Sequence, residues 1–121
     1  MELVLDKNKI IKFYENYLPC DCDECKNFIL QIKEKHPQLA RYFQERGVDI
    51  QKPFELVSFQ QDKIIEYVDC QYLLFGVCSK DFECEIDGVK VCQTFSHPST
   101  SNFEKPNFVL SFSVSLENLL S

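Results

Sequence analysis

Three cysteines fall within six residues, in the run Cys20-Asp21-Cys22-Asp23-Glu24-Cys25. Thiolates are good ligands for Zn²⁺, and a Cys-x-x-Cys pair can place two sulfurs around one ion. Cys22 and Cys25 have that spacing and Cys20 could add a third sulfur. Cys20, Cys22 and Cys25 are therefore the candidate metal ligands, with zinc the candidate cofactor. A fourth ligand would have to come from far along the chain: Cys70, Cys78, Cys84, Cys92, His36 or His97. The strong zinc signature repeats a short Cys or His pair, and no second pair is present.

Two other chemistries compete for the same residues. A Cys-x-x-Cys at a helix N-terminus has its thiol pKa lowered by the helix dipole, which suits thiol redox exchange. Asp21, Asp23 and Glu24 work against this, because their charges disfavour thiolates. The redox motif also belongs in a βαβ setting, whereas the later strands here read as a meander. The third reading is packing: Cys25 shares an apolar stripe with Phe28, Ile29 and Ile32, and a buried cysteine behaves as a small hydrophobe. Packing covers most of the seven cysteines and is the main expectation. It covers Cys20 and Cys22 least well, since they stand among acids.

Elsewhere the chain offers little chemistry. His36 and His97 each precede a proline and read as turn or cap residues. The only glycines, Gly47, Gly76 and Gly88, are too far apart for a phosphate-binding loop. No catalytic or cofactor-binding residue is assigned on these grounds. Tyr14, Tyr17, Tyr42 and Phe103 are candidate surface anchors for a partner.

The elements that must position the cysteines can be read from periodicity. Pro19 closes the preceding segment, and Asp21 or Asp23 can cap a helix. Cys25, Phe28, Ile29 and Ile32 form its apolar stripe, with Lys26, Gln31, Lys33, Glu34 and Lys35 toward water. His36-Pro37 ends that helix, and Pro37 suits the first turn of another, carrying Leu39, Ala40 and Phe43. Gly47 stops it, with Val48 supplying the apolar cap contact. Residues 22–47 thus read as a helical hairpin.

Strand signals surround it. Leu3 to Leu5 resemble a short strand, and the mixed run from Ile10 to Tyr17 reads weakly as another. From Phe54 the period changes to two; Gln60 to Lys63 reads as a turn. Ile64 to Val77 is a long strand with a bulge or bend near Asp69 and Gln71. Asp87-Gly88 predicts a type I′ hairpin with Ile86 facing Val89, Cys84 facing Val91 and Phe82 facing Gln93. Residues 96–107 read as a long loop, and Phe108 to Leu116 as a cleanly alternating strand. The fold expected is a single α+β domain over residues 1–121. In it a helical hairpin packs on one face of a largely antiparallel sheet, a meander of five or six strands.

Charge and cysteine usage bound the setting. The net charge is −6 and the lysines are scattered, which argues against binding nucleic acid or an anionic membrane. The segment Met1 to Lys7 lacks the basic start and apolar run of a secretion signal, and no apolar stretch is long enough to span a membrane. Seven cysteines in such a chain suit a reducing cytoplasm, and the odd count argues against a closed disulfide framework.

The run Leu18-Pro19-Cys20-Asp21-Cys22-Asp23-Glu24-Cys25-Lys26-Asn27-Phe28, followed by Gly47-Val48-Asp49-Ile50-Gln51-Lys52-Pro53, resembles a small family of uncharacterised bacterial proteins. Members are similar in pairing a Cys-x-x-Cys-(Lys/Arg)-Asn-aromatic segment with a Gly-(Val/Ile)-Asp-x-x-(Lys/Arg)-Pro segment. The resemblance spans residues 18–55 and brings no known activity. It implies a free-standing bacterial cytosolic protein. The function expected is a non-enzymatic protein-interaction or accessory module, including the case of an acidic immunity-type inhibitor of a basic partner. The alternative is a zinc-binding or thiol-redox protein using Cys20, Cys22 and Cys25.

Overall fold

The computed structural model describes residues 3–94 and 103–120. After a short strand β1 (Leu3–Leu5), the chain forms helix α1 (Lys7–Asn16), where the sequence reads weakly as strand. The helical period wins for two reasons. Asp6 caps the helix by accepting from the Lys9 N–H at 3.2 Å. Ile10, Phe13, Tyr14 and Tyr17 also recur at spacings of three and four, which places them on one helical face.

The helical hairpin forms as α2 (Asp23–Lys35) and α3 (Pro37–Glu45). Its cap differs from expectation: Cys22, not Asp21 or Asp23, occupies the N-cap, and its side chain makes no cap hydrogen bond. Asp23 and Glu24 instead lie in the first turn, where their charge complements the helix dipole. Gln31, expected to face water, is buried together with Asn27, and both carry hydrogen bonds described below. α3 ends as Gly47 and Val48 predict. The Gly47 N–H donates to Gln44 O, and the Val48 N–H reaches back to Phe43 O at 2.9 Å, a Schellman cap with Val48 buried behind it.

The sheet contains β2 (Glu55–Gln60), β3 (Ile64–Cys78), β4 (Glu83–Ile86), β5 (Val89–Thr94) and β6 (Asn107–Glu117) together with β1. All pairs are antiparallel. The architecture is α+β, as expected, but the order β1-β3-β6-β5-β4 is not that of a sequential meander. The last strand lies between β3 and β5. Phe108 to Phe112 are all buried, on both faces, as suits an interior strand whose two edges are paired by β3 and β5. β1 and β2 share the other edge of β3, pairing with its two ends. Between those pairings, the Tyr14 hydroxyl of α1 donates to Leu73 O at 2.9 Å. The expected bulge lies between Tyr67 and Cys70, where both neighbours of β3 shift register.

One face of the sheet takes α2 and α3. Phe28 of α2 meets Tyr67, with ring centroids 5.1 Å apart, and Phe43 of α3 meets Tyr72 and Phe112 at 5.0 and 5.7 Å. On the alternate side of β3, Phe75 packs with Phe13 of α1, which also touches Phe103 and Tyr17. The long-loop expectation for residues 96–107 falls mostly outside the described residues, and Asn107 already belongs to β6.

The β4–β5 hairpin turns at Asp87 and Gly88, with φ of 52° and 81°, the pair of positive angles a type I′ turn requires. Ile86 faces Val89, and Cys84 faces Val91, as predicted; pairing ends at Glu83 and Cys92. Phe82 therefore does not face Gln93: its N–H donates to Ser79 O in the preceding turn. A Cβ at Gly88 would meet no atom within 4 Å, so only backbone strain opposes substitution. Gly88→Val is expected to destabilise by about 1–2 kcal/mol in urea denaturation. An unchanged midpoint would refute the turn type.

A candidate thiol and metal centre

Cys22 caps α2 in an extended conformation, φ −67° and ψ 168°, and Cys25 follows in the first turn. Cys20 precedes the helix, yet its sulfur accepts the Cys22 backbone N–H at 3.4 Å. The three sulfurs of Cys20, Cys22 and Cys25 all lie within 4.8 Å of one another. Zn–S bonds near 2.3 Å in a tetrahedron would set sulfurs about 3.8 Å apart, so modest side-chain rotation could seat an ion among them. Cys20 and Cys22 are exposed, and Cys25 is buried on the stripe the sequence assigns to it.

None of the other candidate ligands within the described residues joins this group. Cys70 is buried in the core, and the Cys78 thiol donates to Ser79 O. The Cys84 thiol donates to the Tyr42 hydroxyl at 3.5 Å. His36 stands at the opposite end of α2, roughly 16 Å along the axis from Cys25. His97 lies outside the described residues.

The three thiols have unequal electrostatics. The hydrogen bond from the Cys22 backbone, with further bonds from the Cys22 and Cys25 thiols, lowers the Cys20 pKa, while Asp21 opposes that shift. Cys25 moves the other way: burial pushes its thiol well above the ordinary range, and hydrogen bonds to Cys22 and Cys20 add to this. Tyr17 lies close enough to feel the cluster. Burial raises its phenol first, then Glu55, Cys20 and Cys25.

A polar network holds the helix that carries Cys25. The Tyr67 hydroxyl donates to Glu24 O at 2.7 Å, bonding the first turn of α2 to β3, and burial lifts the Tyr67 phenol to about 12. Asn27 Nδ2 donates to that hydroxyl and to Glu117 O, while Asn27 Oδ1 accepts the Leu119 N–H. Gln31 Nε2 donates to Glu117 O at 2.8 Å, and its Oε1 accepts the Glu117 N–H. Sequence reasoning missed this clamp. The available signal is the spacing of Asn27 and Gln31, four residues apart beside Phe28 and Ile32, which sets two amides along the buried stripe.

A second feature is the outer face of β2, β3 and β6. Cα pairing sets Phe59 opposite Glu66, which in turn faces Ser115, Val57 opposite Asp69, and Ile64 opposite Glu117. Phe59 is 58% exposed, Val68 41%, Val57 40% and Ile64 37%. The aromatics singled out as candidate surface anchors differ in exposure. Tyr14 is buried, while Tyr17, Tyr42 and Phe103 are half-buried against other rings or, for Tyr42, also under Arg46 at 3.6 Å. A groove of about 480 Å³ beside α1 is lined by Lys7, Tyr14, Glu15, Lys33 and Lys52 but by none of the clustered cysteines. Lys52 Nζ already donates there to Tyr14 O.

Comparisons with protein-family models, curated proteins and solved structures find no match for this chain. Both candidate sites therefore stand on their own geometry. No helix among the described residues is long and apolar enough to cross a membrane.

Proposed function

We propose that this protein is a non-enzymatic interaction module that presents the outer face of β2, β3 and β6 to a basic protein partner. The observation that carries this reading is the exposed apolar group Val57, Phe59, Ile64 and Val68, set among the carboxylates of Glu55, Glu66, Asp69 and Glu117. The three strands contain no lysine or arginine. An apolar centre with a polar rim is the anatomy of a docking surface, and an aromatic near its middle is a common energetic anchor. A rim of one sign selects a partner of the other and speeds encounter, in line with the net charge of −6. A second copy of this chain would bring the same carboxylates together, so the rim disfavours self-association. An acidic immunity-type inhibitor of a basic enzyme fits this description.

The test is cross-linking in cell extract, with cross-linked sites mapped by mass spectrometry. The wild type is expected to capture a protein of net positive charge through β2 and β3. Phe59→Asp should abolish capture, and Leu30→Asp, on exposed α2 surface, should leave it intact. Capture that survives Phe59→Asp, a partner of net negative charge, or a homodimer lost with Phe59→Asp would each overturn the reading.

A further inference from the structure

Cys20 and Cys22 present a problem that packing does not solve. Both are exposed and lie among Asp21, Asp23 and Glu24, where a small hydrophobe gains nothing. Cys20 is not on the helix at all, yet its sulfur lies within 4.8 Å of those of Cys22 and Cys25. We propose that Cys20, Cys22 and Cys25 bind one zinc ion through three thiolates, with the fourth coordination position open to water.

Three features support the assignment. First, the cap position is unusual. A helix N-terminus is normally capped by a side-chain oxygen, but Cys22 sits there without making a cap bond. A sulfur-bearing residue thus stands at the N-terminus of the helix, where the dipole favours the thiolates a metal needs. Second, the backbone N–H of Cys22 already donates to Cys20 Sγ, the outer bond that orients a ligand and holds its charge. Third, the neighbouring charge has the right sign for a cation. Three thiolates beside Asp21, Asp23 and Glu24 would repel one another, and a divalent ion at their centre converts that repulsion into attraction.

Disulfide exchange explains less. It needs two sulfurs and leaves the third without a role, and the same carboxylates oppose the attacking thiolate. Loading also has a definite proton balance: a thiol that enters the site loses its S–H proton to solvent and bonds to zinc through sulfur. Affinity should therefore rise with pH. The interaction surface described above lies on other elements, so this inference does not depend on it.

Titration of the reduced, metal-stripped full chain with Co²⁺ tests the proposal, followed by displacement with Zn²⁺. The expected result is one equivalent of Co²⁺ with an intense sulfur-to-cobalt charge-transfer band and the visible absorption of a tetrahedral ion. One equivalent of Zn²⁺ should abolish both. Affinity should tighten by about tenfold or more per pH unit between pH 6 and 7 as protons are displaced. Cys20→Ser and Cys22→Ser alter exposed side chains and should keep the wild-type circular dichroism while losing the charge-transfer band. Absence of that band in the wild type overturns the proposal, as does its persistence in both serine variants. A reversible Cys22–Cys25 disulfide in a chain that gives no cobalt band would also overturn it, in favour of thiol exchange.

Discussion

Asn27→Leu should destabilise the protein by about 3–4 kcal/mol. The two side chains are similar in size, so the substitution tests hydrogen bonding rather than volume. Asn27 is 1% exposed and makes three bonds, to the Tyr67 hydroxyl at 3.1 Å, to Glu117 O at 3.0 Å and from Leu119 N at 3.0 Å. A hydrogen bond contributes roughly 1 kcal/mol net, but a buried partner left unpaired costs about 1–3 kcal/mol. Glu117 O keeps its bond from Gln31 Nε2, and the Tyr67 hydroxyl keeps Glu24 O as acceptor. The loss should therefore stop short of unfolding. Urea denaturation of wild type and variant measures it. A change below about 1 kcal/mol would mean that the bonds between α2, β3 and the end of β6 do not hold the chain together. Tyr67→Phe with Asn27→Leu completes a double-mutant cycle, and strong non-additivity is expected because the two residues share one bond.

Gly76→Ala should be at least as damaging, by about 3 kcal/mol or more, for a different reason. Gly76 has a φ of +138°, which L-residues rarely adopt, and a Cβ there would sit 2.1 Å from the carbonyl oxygen of Val4 and 2.9 Å from the Cα of Leu5. Both atoms are backbone of β1, the neighbouring strand, so no side chain can rotate away. Relief requires β1 to leave β3. Strain and overpacking each cost about 1–3 kcal/mol. The expected signature is local: hydrogen exchange should show lost protection at Asp6, whose N–H donates to Phe75 O, and at Val77, opposite Val4, while Tyr72 in the middle of β3 stays protected. Gly88→Ala is the control. It shares a positive φ but meets no atom, and it should cost far less. Equal losses at the two positions would show that β1 does not press on Gly76.

Much of the fold is legible in the chain because local chemistry and global packing agree there. Pro37 and Gly47 bound α3, Asp87-Gly88 sets the hairpin register, and the alternation from Phe108 to Leu116 marks β6. These signals depend on φ preferences and side-chain period, which act within a few residues. α1 reads poorly because Ile10, Ile11, Phe13, Tyr14 and Tyr17 fit two periods. The choice falls to Asp6, which caps the helix, and to Tyr14, whose hydroxyl meets a carbonyl of β3.

By itself the sequence determined that one helix begins at the cysteine run, that Cys25 lies on its apolar stripe, and that an antiparallel sheet follows. Only the tertiary structure decided the rest. β6 enters between β3 and β5, where both its edges are paired and the run from Phe108 to Phe112 is buried on both faces. Asn27 and Gln31 turn inward because the end of β6 presents Glu117 backbone groups that would otherwise lie unpaired beside α2. The sulfur of Cys20 joins those of Cys22 and Cys25 because the chain before α2 folds back to the Cys22 N–H. Spacing in a sequence says which residues can meet; the direction of the backbone between them says whether they do.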